Sequence, residues 1–306
     1  SAAAIANGDR FFQRHAAILG STGSGKSYTV AALLERANTL SHPNLLLLDM
    51  HGEYASLAKG QPNGYAEYLK IAGPGDLAEP KPHNLFLPYW LLNREEMLSM
   101  LLDRNDDNAP NQAMRFTSLV FEKKRDFLEK QKLTEVLASF TVDSPVPYDL
   151  SSLVKALSED DQAMVQGSSG RDKQGPWHGK LTRFISRLEA KIRDRRYGFL
   201  FQPPSNTNTY TWLQDIAIRF LSAKEGGQPG IKVVDFSEVP ADVLPTVVSV
   251  LARVLYDVQF WMQSDSRTPV CLICDEAHLY LPVRSDADAA SKRALDTALS
   301  HICAPG

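Results

Sequence analysis

Eight consecutive residues, Gly20-Ser21-Thr22-Gly23-Ser24-Gly25-Lys26-Ser27, combine three glycines with an ammonium and hydroxyls at the spacing GxxxxGK[ST]. The glycines allow a tight turn and a close approach of the backbone to an anion. Successive N–H groups and the N-terminus of a following helix then form a nest for phosphate oxygens. At this spacing the Lys26 ammonium reaches the β- and γ-phosphates and the Ser27 hydroxyl ligates Mg²⁺. The set, closed by Tyr28, predicts a site for ATP with Mg²⁺. The bland alternative is an ordinary glycine-rich turn before a helix.

A second chemical pair lies far along the chain. Pro269-Val-Cys-Leu-Ile-Cys-Asp275-Glu276 is an apolar run closed by adjacent carboxylates, the Walker B arrangement. Asp275 is expected to hold the Mg²⁺ and its hydration shell, and Glu276 to orient or deprotonate the attacking water. A glutamate beside the aspartate points to hydrolysis rather than to a nucleotide kinase. Asp275-Glu-Ala-His278 also spells the DEAH box of superfamily 2 helicases. In those enzymes the box follows the phosphate loop within one compact domain, whereas most of this chain lies between the two, so the spelling is coincidental.

These residues need a scaffold that brings them together. His15-Ala-Ala-Ile-Leu19 reads as a short buried strand before the loop, and Tyr28–Arg36 as a helix with an apolar face after it. Asn44-Leu-Leu-Leu-Leu-Asp49 reads as a central parallel strand buried on both faces. At the carboxyl ends of such strands Asp49, His51 and Glu53 fall near the nucleotide, although Asp49 and Glu53 could equally cap a turn. Gly60–Leu92 is rich in Pro and Gly. Helical spacing follows over Asn93–Arg104, Asn111–Lys132, Asp149–Leu157 and Gly179–Arg195. The stretch Asp160–His178 reads as a mobile linker. Strand character returns at Tyr197–Phe201 and Gly230–Phe236, with helices over Tyr210–Ala223 and Val243–Gln263. Apolar strands alternating with helices predict an α/β fold with a mainly parallel sheet. The expected division is a first part of the nucleotide-binding core in residues 1–90, a helical insertion in 91–196, and the second part of the core in 197–306, incomplete at its C-terminus.

The 306 residues are 43% hydrophobic and 23% charged, with a net charge of −3, which suits an ordinary globular chain, is too small to indicate a partner and does not exclude DNA. Any polyanion surface must be local, or assembled from several subunits. The densest basic stretch is Arg183, Arg187, Lys191, Arg193, Arg195 and Arg196, of which the first three share one helix face. Phosphate contact by Arg183 and Arg187 competes here with a plain solvated face. Three cysteines, Cys271, Cys274 and Cys303, make no disulfide framework, and Cys271-Leu-Ile-Cys274 lies on a strand where its thiols point to opposite faces. No apolar stretch reaches the roughly 18 residues needed to span a bilayer. The start Ser1-Ala-Ala-Ala lacks the regions of a signal peptide, so a cytoplasmic location without membrane attachment is expected.

The phosphate loop, Asp49-Met-His-Gly-Glu-Tyr54, Arg187-Leu-Glu, Arg196-Tyr-Gly-Phe-Leu-Phe201, Val234-Asp-Phe-Ser-Glu-Val239 and Asp275-Glu-Ala-His-Leu-Tyr-Leu-Pro282 occur in an order that resembles the HerA family, within the HerA/FtsK superfamily of P-loop ATPases. The resemblance implies a RecA-like core with a helical insertion, a homo-hexamer with ATP at its subunit interfaces, and translocation of double-stranded DNA. It further implies a nuclease or NADase-type effector partner in DNA end processing or anti-phage defence. Related expectations are a type IV secretion or conjugation ATPase, or an ATP-dependent scaffold that regulates an effector. HerA-like chains carry a small β-barrel ahead of the loop and, after Walker B, a sensor strand and an arginine acting in trans. Little chain precedes the loop here, and Arg284 and Arg293 are the late arginines available.

Overall fold

The computed structural model describes residues 8–12, 15–166, 170–263 and 267–280. Its strands are β1 (Leu45–Asp49), β2 (Glu67–Ile71), β3 (Asn84–Leu85), β4 (Met164–Gln166), β5 (Asp172–Gln174), β6 (Ile231–Asp235) and β7 (Cys271–Cys274). Five of them form one parallel sheet in the order β3-β2-β6-β1-β7. The runs Leu-Leu-Leu-Leu-Asp of β1 and Ile-Lys-Val-Val-Asp of β6 are buried at every position, as required of strands covered on both faces. Their register pairs Leu48 with Val234 and Asp49 with Asp235, while Leu48 faces Cys274 of β7. Three neighbouring strands therefore deliver Asp235, Asp49 and Asp275 to one edge of the sheet.

The helices are α1 (Gly8–Phe12), α2 (Lys26–Asn38), α3 (Arg94–Leu101), α4 (Ala109–Lys130), α5 (Thr134–Leu137), α6 (Leu150–Gln162), α7 (Thr182–Arg193), α8 (Gly198–Phe201), α9 (Trp212–Leu221) and α10 (Leu244–Trp261). One sheet face, with Leu45, Leu47, Ile231 and Val233, packs on Val30, Leu34 and Ala37 of α2. The opposite face, with Leu46, Leu48 and Val234, joins a core that includes Val247 and Leu251 of α10 and continues through Phe116, Leu153 and Phe184 of the helical block. This is the α/β architecture of a RecA-like P-loop core. Two helices of the block, α3 and α6, start on side-chain caps. Asn93 and Glu96 form a reciprocal capping box on α3, and Asp149 accepts from the N–H groups of Ser151 and Ser152 on α6.

Three expectations are corrected, and one strand is added. Residues 15–19 are exposed and form no strand, with Leu19 89% accessible. An apolar run becomes a strand only where a ladder partner accepts its backbone groups, and these residues pair with no described strand. Tyr197–Phe201 is helical, because an unbroken apolar run does not separate a buried helix from a buried strand. Phe199, Leu200 and Phe201 all sink into the core there. Part of Asp160–His178 is the end of α6, and Met164–Gln166 pairs antiparallel with Asp172–Gln174 as an exposed hairpin. The Pro- and Gly-rich stretch conceals the sheet strand β2, flanked by β6 and β3. Cys271 and Cys274 do pack on opposite faces of β7, against the two separate cores. Cys303, Pro282, Arg284 and Arg293 lie outside the described residues.

Candidate nucleotide site

The loop after Leu19 reaches α2 through two glycines in the left-handed region, Gly23 at φ 78° and Gly25 at φ 89°. Gly25 occupies the N-cap position and no side chain caps the helix. The first N–H groups of α2 are thereby presented outward, as an anion nest requires. Gly20 serves a different need, since a Cβ there would collide with Ser24 Oγ and press on Lys26 Cγ. The Lys26 ammonium lies over the loop, donating to the carbonyl oxygens of Gly20 at 3.0 Å and Ser21 at 3.4 Å. Thus Gly20, Ser21, Ser24, Gly25 and Lys26 form one cradle, with Thr22 and Gly23 at its exposed rim. Tyr28 follows at the mouth of the helix, 82% accessible.

β7 delivers the second chemical pair. The Asp275 N–H donates to the Leu48 carbonyl at 3.3 Å, extending the β1–β7 register to the carboxylate. Burial, then the neighbouring carboxylates Glu276, Asp49 and Glu53, push the Asp275 pKa above the usual aspartate value. The chain turns sharply at Glu276, whose φ of 45° and ψ of 42° are left-handed for a residue with a side chain. Tyr280 is fully buried and its hydroxyl donates to the Asp275 carbonyl at 3.0 Å, locking this turn.

Asp49 belongs to the site's frame. It is fully buried, and its Oδ1 accepts from the N–H groups of His51, Gly52 and Glu53 while its Oδ2 accepts from Tyr54. Of the two roles open to it, the structure shows turn-capping. Burial outweighs these bonds and raises its pKa, with Asp235 adding to the rise. The turn leaves His51 and Glu53 exposed and Tyr54 buried. The Tyr54 hydroxyl, itself without a partner in hydrogen-bonding geometry, feels both the Ser27 hydroxyl and the Asp275 carboxylate, which places loop and strand end around one buried ring. Burial raises its pKa first and Asp275 next. Tyr54 and Asp235, which accepts from Tyr68 Oη at 2.6 Å, were recognisable only as members of ordered motifs.

Arg183 and Arg187 are not brought to this edge. They lie on α7 facing the turn after α3, Arg187 at 2.7 Å from Asp103 and Arg183 at 3.9 Å from Asp106. Lys191 pairs with Asp242 at 3.1 Å and lies over the Tyr197 ring.

A phosphate nest opening a helix, with a paired-carboxylate strand end sharing its surroundings at the carboxyl edge of a parallel sheet, defines the class as a RecA-like P-loop nucleotide-binding protein. Residues 3–255 match the family described as helicase HerA, central domain. The chain belongs to that family. It is 24% identical over 278 residues, 90% of this chain and 44% of the other, to a probable helicase of Methanocaldococcus jannaschii. A shorter segment of 43 residues, 14% of this chain and 8% of the other, is 56% identical to the DNA double-strand break repair helicase HerA of Saccharolobus solfataricus. The chain thus spans less than half the length of either relative. No helix among the described residues is long and apolar enough to cross a membrane.

Proposed function

We propose that the chain is the ATP-hydrolysing core of a DNA translocase or helicase. The observation that carries this reading is that the glycine loop opens α2, which packs on β1, while Asp275 at the end of β7 donates its N–H to Leu48 of that same strand at 3.3 Å. In this reading Lys26 turns from the carbonyls of Gly20 and Ser21 to the terminal phosphates. Backbone N–H groups over Gly20–Ser27, with Tyr28 beside them, bind the nucleotide. The cradle that a Cβ at Gly20 would fill, and the carboxylates crowding Asp275, fit a Mg²⁺ nucleotide held by Ser27 and Asp275. The ion, when bound, polarises the phosphoryl oxygens and offsets developing charge. Glu276 is the base that orients and deprotonates water, and Asp49 keeps the supporting turn in shape.

The family and the repair helicase among its relatives support double-stranded DNA as the polymer moved; the working form in this reading is a cytoplasmic homo-hexamer with ATP between subunits. Within it, residues 1–90 and 197–306 build the ATPase core and residues 91–196 the helical insertion. Pairing with a nuclease or NADase-type effector, in end processing or antiviral defence, completes the proposal. The test is ATP hydrolysis with and without linear duplex DNA. Lys26→Ala is expected to lose nucleotide binding, and Glu276→Gln to bind without turnover. Undiminished hydrolysis by Glu276→Gln would overturn the assigned base, and hydrolysis indifferent to DNA would overturn the motor.

A further inference from the structure

His278 follows Glu276 by two residues, and its Nδ1 lies 3.2 Å from Glu276 Oε2. The backbone turn brings the two residues side by side. The left-handed turn at Glu276 ends the strand and starts a short 3₁₀ turn over Ala277–Leu279. The N–H of Leu279 donates to the Glu276 carbonyl at 2.9 Å, and Tyr280 closes the loop back to Asp275. The turn thereby sets the imidazole next to the carboxylate. The two side chains differ in environment: Glu276 is 26% accessible and His278 is 73% accessible. The ring contact engages one Glu276 oxygen and so competes with a water for that oxygen.

We propose that His278 is a positioning residue that restrains Glu276 in a resting orientation and so limits ATP hydrolysis in the absence of DNA. This rests on the reading of Glu276 as the base. The restraint is a partly exposed contact, worth a modest shift in a two-state equilibrium. Removing it is expected to raise DNA-independent turnover about two- to fivefold. Because His278 sits on the outer side of the turn, the effect falls on kcat and leaves the KM for ATP unchanged.

The experiment compares the wild-type protein with His278→Ala and His278→Asn in steady-state ATP hydrolysis, with and without duplex DNA. The alanine variant is expected to show the raised basal kcat, an unchanged KM and a smaller stimulation by DNA. The asparagine variant, whose side-chain amide can take the place of Nδ1, is expected to return to wild-type behaviour. A basal kcat that falls or stays the same in His278→Ala would overturn the proposal, as would equal acceleration in both variants. Glu276→Gln run alongside separates the two levels: if it still hydrolyses ATP, the assignment of the base fails. If it is inactive and His278→Ala is not accelerated, the restraint alone fails.

Discussion

Replacing Asp49 tests the frame of the nucleotide site. The side chain is fully buried and accepts four backbone N–H groups, at 3.2, 2.8 and 3.1 Å on Oδ1 and 3.1 Å on Oδ2. A hydrogen bond to a charged acceptor contributes about 1.5–3 kcal/mol, but three of these share one oxygen and do not add in full. The cost of burying the carboxylate beside Asp235 offsets part of the gain, as the raised pKa records. Asp49→Ala leaves four N–H groups without their acceptor and is expected to cost about 3–5 kcal/mol. Asp49→Asn keeps Oδ1 but sets an amide N–H₂ against the Tyr54 N–H, and is expected to cost about 1–2 kcal/mol. Urea unfolding with an unchanged slope gives both values. The pH dependence has a definite sign. A folded pKa above 3.8 means that the folded state binds the proton more tightly, so wild type loses stability relative to Asp49→Asn as pH rises just above that value. An alanine variant within about 1 kcal/mol of wild type, or an asparagine variant as damaged as alanine, would refute the account.

Three further outcomes follow from the same structure. Gly20→Ala places a methyl against Ser24 Oγ and is expected to weaken nucleotide binding by at least about tenfold with little loss of stability, read by titration with a fluorescent analogue. Burial lowers the Lys124 pKa to about 7 from 10.5, with its ammonium donating to the carbonyls of Val142 and Ser144. The folded state holds fewer protons in that window, so stability rises by roughly 2 kcal/mol between pH 7 and 9, a rise that Lys124→Met removes in urea melts across that range. Arg253 donates to both oxygens of the buried Glu96 and to the Leu91 carbonyl. Arg253→Met is expected to cost about 3–5 kcal/mol by stranding that carboxylate, and Arg253→Met with Glu96→Met to recover most of it in thermal unfolding.

Much of the sheet was legible because β1 and β6 are buried at every position and β7 is half-buried, so that all three read as largely apolar runs ending in acids, Asp49, Asp235 and Asp275. The same rule explains the failures. An apolar run states burial and not backbone type, so Phe199-Leu-Phe201 passed for a strand while packing as a helix. β2 was missed because Glu67-Tyr-Leu-Lys-Ile71 mixes charge with apolar residues, and its charges are satisfied from afar: Glu67 by Arg219 and Lys70 by Glu238. Those partners lie more than a hundred residues away, beyond any local pattern.

The chemistry divides along the same line. Spacing identified the cradle, since a phosphate nest is made by contiguous backbone, and it identified Asp275 and Glu276 as the end of a strand. It left Asp49 between two roles, because a carboxylate that binds a ligand and one that caps a turn look alike until the N–H groups of residues 51–54 are seen converging on it. It left the basic face of α7 undecided for the converse reason. Arg183 and Arg187 repeat at helical spacing, yet the acids nearest them are Asp106 and Asp103, brought in by the turn between α3 and α4. Both arginines stay well exposed, so the pairs are worth little and a polyanion can displace them at small cost. Phosphate contact on α7 therefore turns on competition with Asp103 and Asp106, and neutralising those two acids is the change that would strengthen it.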